Sequence, residues 1–391
     1  MDDQELWNLL MEILYHTVHK NIGDISLHKR LTTENVNAIC KLAAKHSLVY
    51  LVSRYILVNA IPVDSSIKAT LQHIGLKTVY NLERMKYVLN EIHNIFNEAG
   101  ISYIPLKGAV LRAYYPEEEM RTSCDIDVLI HEKDLETAKS LLINKHGYTD
   151  HGKGSHDVSL FSPQGVHLEL HYDLIEDGEA NESAKVLRNV WNMVKAREGF
   201  EYWYEMPDDL FYFYHIAHMA KHFENGGCGI RPFIDLWFLD RIESADIAKR
   251  NRLLQEGKLL KFANVVRRLS RVWFDGEEHD NITQQMEEYI LRGGVYGTNT
   301  NRVMVQQQKK GGRIKYALSK IFIPYDVIKF HYPILQKYRC LTPIMEIRRW
   351  FKLIFCGHLK RTTNELKYNN SISNDDATRM QIFLRDIGLV I

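Results

Sequence analysis

The stretch from residue 106 to residue 130 carries the strongest structural signal in this chain. It reads LKGAVL at residues 106–111 and RTSCDIDVLI at residues 121–130. Two aspartates one residue apart, followed by an apolar run, predict a β-strand. Because successive side chains of a strand point to opposite faces, Asp125 and Asp127 share one face and the apolar residues share the other. The two carboxylates can therefore converge on divalent ions.

The charge of this pair leaves two interpretations open. Two carboxylates about 5 Å apart repel by about 3 kcal/mol at an effective dielectric constant of about 20. A pair in a cleft would therefore need a cation, whereas a pair at a solvated strand end would need none. The two interpretations can be distinguished only by the other motifs that accompany the pair.

A second strand offers a third carboxylate. Residues 158–161 and 166–172 have strand-like composition, and the turn sequence SPQG at 162–165 joins them. This pattern predicts a β-hairpin. On its second strand, Glu169 shares a polar face with two histidines. A solvent-facing strand is the alternative, but the acid pair upstream makes Glu169 a candidate third ligand.

The rest of the chain divides into three predicted regions. Residues 1–96 show helical periodicity, residues 97–178 mix strands with short helices, and residues 179–391 return to helical patterns. Within the middle region we expect a short helix from Gly108 that is stopped by Pro116, and a longer helix that ends at Gly147. We expect the chemistry in the middle region.

Composition favours a globular protein in a reducing compartment. The 391 residues are 45% hydrophobic and 25% charged. The five cysteines are scattered without a Cys-x-x-Cys pair, which argues against disulfides and structural zinc. An acidic start without a secretion signal, and no apolar run of about 20 residues, predict a cytoplasmic protein with no transmembrane segment.

Charge is distributed unevenly along the chain. Residues 301–361 carry fourteen Lys or Arg and two acids, a net +12, so the remainder carries −11 because the whole chain is +1. This basic segment could pack against the acidic remainder, bind nucleic acid, or dock on an anionic membrane face.

Two further patterns have a structural and a functional interpretation. His215, His218 and His222 share one helical face and could bind a metal, but without a His-Glu-x-x-His motif we interpret them as core residues. Arg231 and Asp235 could form a structural pair or line a cleft.

Together, these motifs resemble the polymerase-β-type nucleotidyltransferase superfamily. The likeness is greatest to a bacterial branch that shares an LKG segment, an R…DIDLLV-like strand and an ELHW-like strand, here ELHY at residues 169–172. The tract from Phe322 to Arg348 also resembles the C-terminal tail of that branch. The resemblance implies an α+β fold: a polymerase-β-like mixed sheet with helices, flanked by N-terminal and C-terminal helical regions.

The resemblance also implies a reaction and its residues. The superfamily transfers a nucleoside monophosphate, here most simply AMP, from an NTP to an acceptor and releases pyrophosphate. The implied catalytic residues and ligands of Mg²⁺ (or Mn²⁺) are Asp125, Asp127 and Glu169, which would serve two ions. The implied nucleotide-binding residues are Lys107, Gly108 and Arg121. Most of the superfamily has Gly-Ser where this chain has Lys107-Gly108, so the serine hydroxyl is missing.

The acceptor and the activity itself stay open at this stage. A protein, a tRNA or a small molecule could accept the nucleotide. The alternatives are a non-catalytic NTP- or partner-binding module on the same fold, and a component of a toxin–antitoxin pair. Glu169 directed at the aspartates would favour the enzyme, and Glu169 paired with an arginine elsewhere would favour the binding module.

Overall fold

The computed structural model describes residues 2–23, 25–176, 181–291, 293–294, 297–355, 369 and 372–389. Within them, helices flank one mixed five-stranded sheet, which is the α+β fold that the sequence predicts. The strands are β1 (Tyr103–Pro105), β2 (Asp125–Ile130), β3 (Thr149–Lys153), β4 (Asp157–Phe161), β5 (His167–His171), β6 (Lys195–Ala196) and β7 (Tyr204–Glu205).

The helices lie mainly before and after the sheet. Those up to the end of the hairpin are α1 (Asp3–Val18), α2 (Ile25–Arg30), α3 (Thr33–Lys45), α4 (Val49–Val58), α5 (Ser65–Ala99), α6 (Gly108–Leu111) and α7 (Leu135–His146). Those after it are α8 (Glu182–Arg188), α9 (Asp208–Glu224), α10 (Arg231–Leu239), α11 (Ile247–Glu256), α12 (Leu260–Asp275), α13 (Asn281–Leu291), α14 (Asn299–Lys309), α15 (Arg313–Ile321), α16 (Tyr325–His331), α17 (Ile334–Lys337), α18 (Thr342–Phe355) and α19 (Asn374–Asp386). No helix in the described ranges combines the length and the apolar character needed to cross a bilayer.

The sheet has the strand order β1-β2-β5-β4-β3. The central pair β2 and β5 is parallel, and the other pairs are antiparallel. The predicted hairpin is confirmed, since β4 and β5 pair from Phe161 opposite His167. The predicted helix end is confirmed too: Gly147 caps α7 with a φ of 71°, in the left-handed region that glycine adopts without strain.

Three short strands were not predicted. All residues of β3 are exposed, so this edge strand lacks the apolar alternation by which strands are recognised. Strands β6 and β7 pair within a region that the sequence predicted to be helical. Each is only two residues long, too short to produce a periodic pattern.

Two hydrophobic cores cover the two faces of the sheet. On one face, the apolar residues of β2, β4 and β5 pack against α5 and α7. On the other face, Ile104, Leu106 and Leu129 join a larger core that also contains residues of α1, α9, α10 and α12. The second face is the one that carries the acidic residues, so it is turned toward the helices that follow the sheet.

Candidate active site

The acidic residues meet because β2 and β5 are parallel neighbours. Their register sets Asp125 opposite His167, Asp127 opposite Glu169, and Leu129 opposite His171. Residues opposite each other in adjacent strands project to the same face. The predicted trio Asp125, Asp127 and Glu169 is therefore brought together.

Two overlapping sets of side chains on this face could hold a metal ion. One consists of Asp125, His167 and Glu169, the other of Asp127, Glu169 and His171. Within each set, the possible ligand atoms lie within 4.8 Å of one another. Glu169 belongs to both sets. The two histidines were noted in the sequence only as neighbours of Glu169, although strand alternation already set them on its face.

Asp127 is the most enclosed of the three acids, with 2% of its surface exposed. The Lys107 ammonium donates a hydrogen bond of 2.6 Å to Asp127 Oδ1, and His171 Nε2 donates one of 3.0 Å to the same oxygen. Burial alone would raise the pKa of Asp127, but these two cationic neighbours lower it well below its usual range. Asp127 is therefore ionised and already partly neutralised.

Asp125 lies in the opposite electrostatic situation. Burial raises its pKa, and the charges of Asp127 and Glu169 raise it further, against opposing contributions from Lys107 and His167. The site thus carries more negative charge than its own cations compensate. An additional cation on this face would relieve the repulsion.

Lys107 reaches the acids from a strained backbone. It has a φ of 43° and a ψ of −118°, a combination that non-glycine residues rarely adopt. Its ammonium contacts Asp127, as described, and lies 3.8 Å from Glu169 Oε2. Burial lowers the pKa of Lys107, but Asp127, Tyr214 and Glu169 together raise it above its ordinary value. In this structure Lys107 is the counter-ion of the acids.

Gly108 begins the four-residue helix α6, and a 3₁₀ turn over Arg112–Tyr114 continues it almost to Pro116, where the sequence predicted its end. A Cβ built at Gly108 would lie 3.0 Å from the Cβ and Oγ of Ser123. Close packing against Ser123 thus favours glycine here, because a larger side chain would push Ser123 outward. Binding of phosphate by Gly108 stays a prediction.

Arg121 is held by a residue from the helical region beyond the sheet. Its Nε donates a hydrogen bond of 2.6 Å to Asp235 Oδ1, and Nη1 donates one of 2.8 Å to the Thr122 carbonyl oxygen. The Tyr115 hydroxyl donates to the same Asp235 oxygen at 2.7 Å. Binding of nucleotide by Arg121 stays a prediction, and the contacts seen here link the segment just before β2 to Asp235 of α10.

The sequence left two interpretations of Asp235 open, as the structural partner of Arg231 or as a residue that lines a cleft with it. Instead, Arg231 donates to the backbone oxygens of Thr122 and Ser47. Asp235 and Arg121 are 114 residues apart in the chain, so no local spacing could have revealed this pair.

A cavity of about 360 Å³ adjoins the acidic face. Lys107 and His171, which both contact Asp127, form part of its wall. The remaining wall comes from the β3–β4, β5–α8 and α11–α12 connections, from the helices α8, α9 and α14, and from Gly388 and Leu389. It includes His156, Leu174, Ile175, Tyr214, Ala217, His218 and Leu259. Carboxylates also lie in the wall, and each is paired with a lysine: Glu176 with Lys221 at 2.7 Å, Glu182 with Lys185 at 2.9 Å and Glu224 with Lys309 at 2.9 Å.

The three histidines of α9 lie close to this cavity but belong to neither candidate metal set in the described residues. His215 Nε2 is 2.9 Å from the Pro232 carbonyl oxygen, and burial lowers its pKa. Burial also lowers the pKa of His218, with further contributions from His222 and Lys107. The rings of His218 and His222 lie 4.5 Å apart. These features agree with buried, neutral imidazoles.

The basic segment is described only up to residue 355, so Lys360 and Arg361 lie outside the described residues. Lys309 contacts Glu224 of α9, as one expects if the segment packs against the acidic remainder. Arg349 pairs with Glu346 inside the segment. Binding of nucleic acid or of a membrane surface stays a prediction.

The donor set fits a divalent cation. Three carboxylates supply the hard oxygen ligands that Mg²⁺ prefers, and the imidazoles of His167 and His171 add nitrogen donors that Mn²⁺ accepts more readily. The structural observation that favours such an ion is the convergence of these ligand atoms within 4.8 Å of one another. Burial, together with the charges of Asp127 and Glu169, raises the pKa of Asp125, as expected for carboxylates gathered without a bound cation.

Comparison with known proteins identifies the family. The model of an uncharacterised nucleotidyltransferase family matches residues 32–275, which is more than half of the chain and includes the whole five-stranded sheet. No curated protein and no solved structure matches. The chain belongs to this uncharacterised nucleotidyltransferase family.

Proposed function

We propose that this protein is a metal-dependent nucleotidyltransferase that moves a nucleoside monophosphate, most simply AMP, from an NTP to an acceptor and releases pyrophosphate. The register of β2 and β5 carries the proposal. It gathers three carboxylates on one face, beside a cavity large enough for a small molecule.

The chemistry requires the acids to stay ionised and the phosphates to be aligned. A bound divalent ion would supply charge neutralisation for the phosphates and would lower the pKa of the attacking hydroxyl. Asp127 can serve as a ligand of such an ion, because Lys107 and His171 keep its carboxylate ionised. Glu169 has 27% of its side chain exposed and can approach an incoming hydroxyl. The hydroxyl oxygen then bonds to the α-phosphorus as the bond to pyrophosphate breaks, and the hydroxyl proton passes to Glu169 or to water.

The position of Glu169 favours an enzyme over the non-catalytic binding module. In the described part of the chain, the ion-pair partners of Glu169 are Lys107 and His171, both within the site. No arginine in those ranges forms an ion pair with Glu169. Glu169 is thus directed at the aspartates, as expected for a third catalytic carboxylate.

Labelled nucleotides test the proposal. The purified protein is incubated with ATP, GTP, CTP or UTP labelled at the α-phosphate, with Mg²⁺ or Mn²⁺ and cell extract. We expect label to pass to a protein, an RNA or a small molecule with release of pyrophosphate. Asp127→Ala serves as the matched inactive control. Absence of transfer with all four nucleotides and both ions would contradict the proposed function, and the labelled product would identify the acceptor.

A further inference from the structure

The two candidate metal sets differ in the cations that they already hold. In the set of Asp127, Glu169 and His171, the Lys107 ammonium lies 2.6 Å from Asp127 and 3.8 Å from Glu169. His171 Nε2 lies 3.0 Å from Asp127 and 3.5 Å from Glu169. By contrast, no lysine or arginine in the described ranges forms an ion pair with Asp125. Protein cations thus occupy one half of the site only.

The backbone holds Lys107 in this position. Its strained conformation is maintained by α6, whose Val110 and Leu111 amides donate to the Lys107 carbonyl oxygen at 3.1 and 2.9 Å. The neighbouring Leu106 amide donates to the Asp127 carbonyl oxygen at 2.9 Å, which ties the two chain segments together. A strained backbone conformation persists only where the surrounding structure maintains it. The position of the Lys107 side chain beside Asp127 is therefore built into the fold.

A charge count then sets what the site can accept. The three carboxylates carry at most three negative charges, and the Lys107 ammonium offsets one of them whatever the charge of His171. At most two negative charges remain, and one divalent ion is enough to balance them. A second divalent ion that shared an Asp127 oxygen with Lys107 would lie within about 5 Å of the ammonium, given metal–oxygen distances near 2.1 Å.

We propose that Lys107 is a built-in cation that takes the place of one divalent ion. The nucleotide-free site then binds a single ion, held by Asp125, His167 and Glu169. The proposal rests on the proposed function for the identity of the site, and it replaces the two-ion arrangement that the family resemblance implied. Because the set contains an imidazole, Mn²⁺ is a suitable probe.

Electron paramagnetic resonance of Mn²⁺ tests this proposal on the full chain without nucleotide, since a nucleotide would bring its own ion. Bound Mn²⁺ is counted from the loss of the signal of the free ion. We expect one ion per wild-type chain. Lys107→Met should bind a second ion, because removing a unit charge about 5 Å from a divalent ion strengthens binding by about tenfold even at the dielectric constant of water. Lys107→Arg keeps the charge and should still bind one ion.

A matched control is available at Lys139. Its ammonium also lies 2.6 Å from a carboxylate, that of Asp150, and its side chain is 25% exposed, as is that of Lys107. Lys139→Met should leave the single ion unchanged. Circular dichroism verifies that each variant is folded. Asp125→Asn gives an independent test if Lys107→Met does not fold, because it should abolish binding of the single ion.

Three results would overturn the proposal. The first is a folded Lys107→Met variant that binds no second ion. The second is a wild-type chain that binds two Mn²⁺ ions with similar affinity. The third is an Asp125→Asn variant that retains the single ion. The readout does not depend on transfer, so the two proposals can fail separately. One bound ion without any transfer contradicts only the function, whereas transfer with two bound ions contradicts only the role of Lys107.

Discussion

Replacing Asp235 with asparagine tests whether Arg121 is an anchor of the fold. Arg121 is 9% exposed and Asp235 is 1% exposed, and Asp235 accepts hydrogen bonds from both Arg121 and Tyr115. Asparagine keeps the shape and one acceptor oxygen, but it leaves the guanidinium buried without a counter-charge. Removing one partner of a buried ion pair costs about 3–5 kcal/mol. We therefore expect Asp235→Asn to lower the free energy of unfolding by about 3 kcal/mol or more.

Urea unfolding followed by circular dichroism measures this loss, and Asp275 provides the matched control. Asp275 also accepts a hydrogen bond from an aromatic residue, Trp237, and pairs with an arginine, Arg241, but it is 26% exposed. Exposed ion pairs contribute about 1 kcal/mol or less. We expect Asp275→Asn to shift the unfolding midpoint far less than Asp235→Asn does.

The anchoring role would be refuted if Asp235→Asn unfolded at the wild-type urea concentration. A second measurement separates anchoring from nucleotide binding. If Arg121→Met left stability unchanged and weakened ATP binding instead, Arg121 would be a nucleotide ligand, as the family resemblance implied.

Three further predictions address the chemistry and the pH dependence of stability. Asp127→Ala should abolish nucleotide transfer with the fold retained; near-normal turnover of labelled NTP would remove the mechanism. Glu169→Gln should lower the transfer rate much more than it weakens NTP binding, and an effect on binding alone would show that its role is wrong. His46 is fully buried without a hydrogen-bond partner, and burial, with Lys45, lowers its pKa from 6.5 to about 4. As the pH falls, the His46 imidazole is protonated first in the unfolded chain. The contribution of neutral His46 to the free energy of unfolding is therefore complete above about pH 6.5 and falls by about 3 kcal/mol toward pH 4. In urea unfolding at several pH values, His46→Phe should lose about 3 kcal/mol less than wild type over this range; equal losses would contradict the assignment.

Much of the candidate site followed from local patterns. Alternation along 125–130 and 166–172 correctly separated the acidic face from the apolar face, because side-chain direction in a strand has a period of two. The turn sequence at 162–165 correctly predicted the hairpin. The motifs also indicated the family that the comparison then identified.

Other features could not be predicted because they depend on partners that are distant in sequence. The exposed edge strand β3 has no pattern of its own and exists through its pairing with β4. The short strands β6 and β7 likewise carry too few residues to show alternation. The long helix α5 begins at Ser65, but several apolar side chains in its first half are exposed, so the apolar pattern alone does not mark where it begins.

The amino-acid sequence alone determined the identity of the acidic side chains, their common face on each strand, and the ends of the helices around them, because these follow from short-range periodicity and from glycine. Only the tertiary structure decided that β2 and β5 are parallel neighbours with Asp127 opposite Glu169, that the Lys107 ammonium balances Asp127, and that Arg121 is held by Asp235. The physical reason is that strand register and buried charge pairing depend on how distant segments pack, which local spacing does not encode.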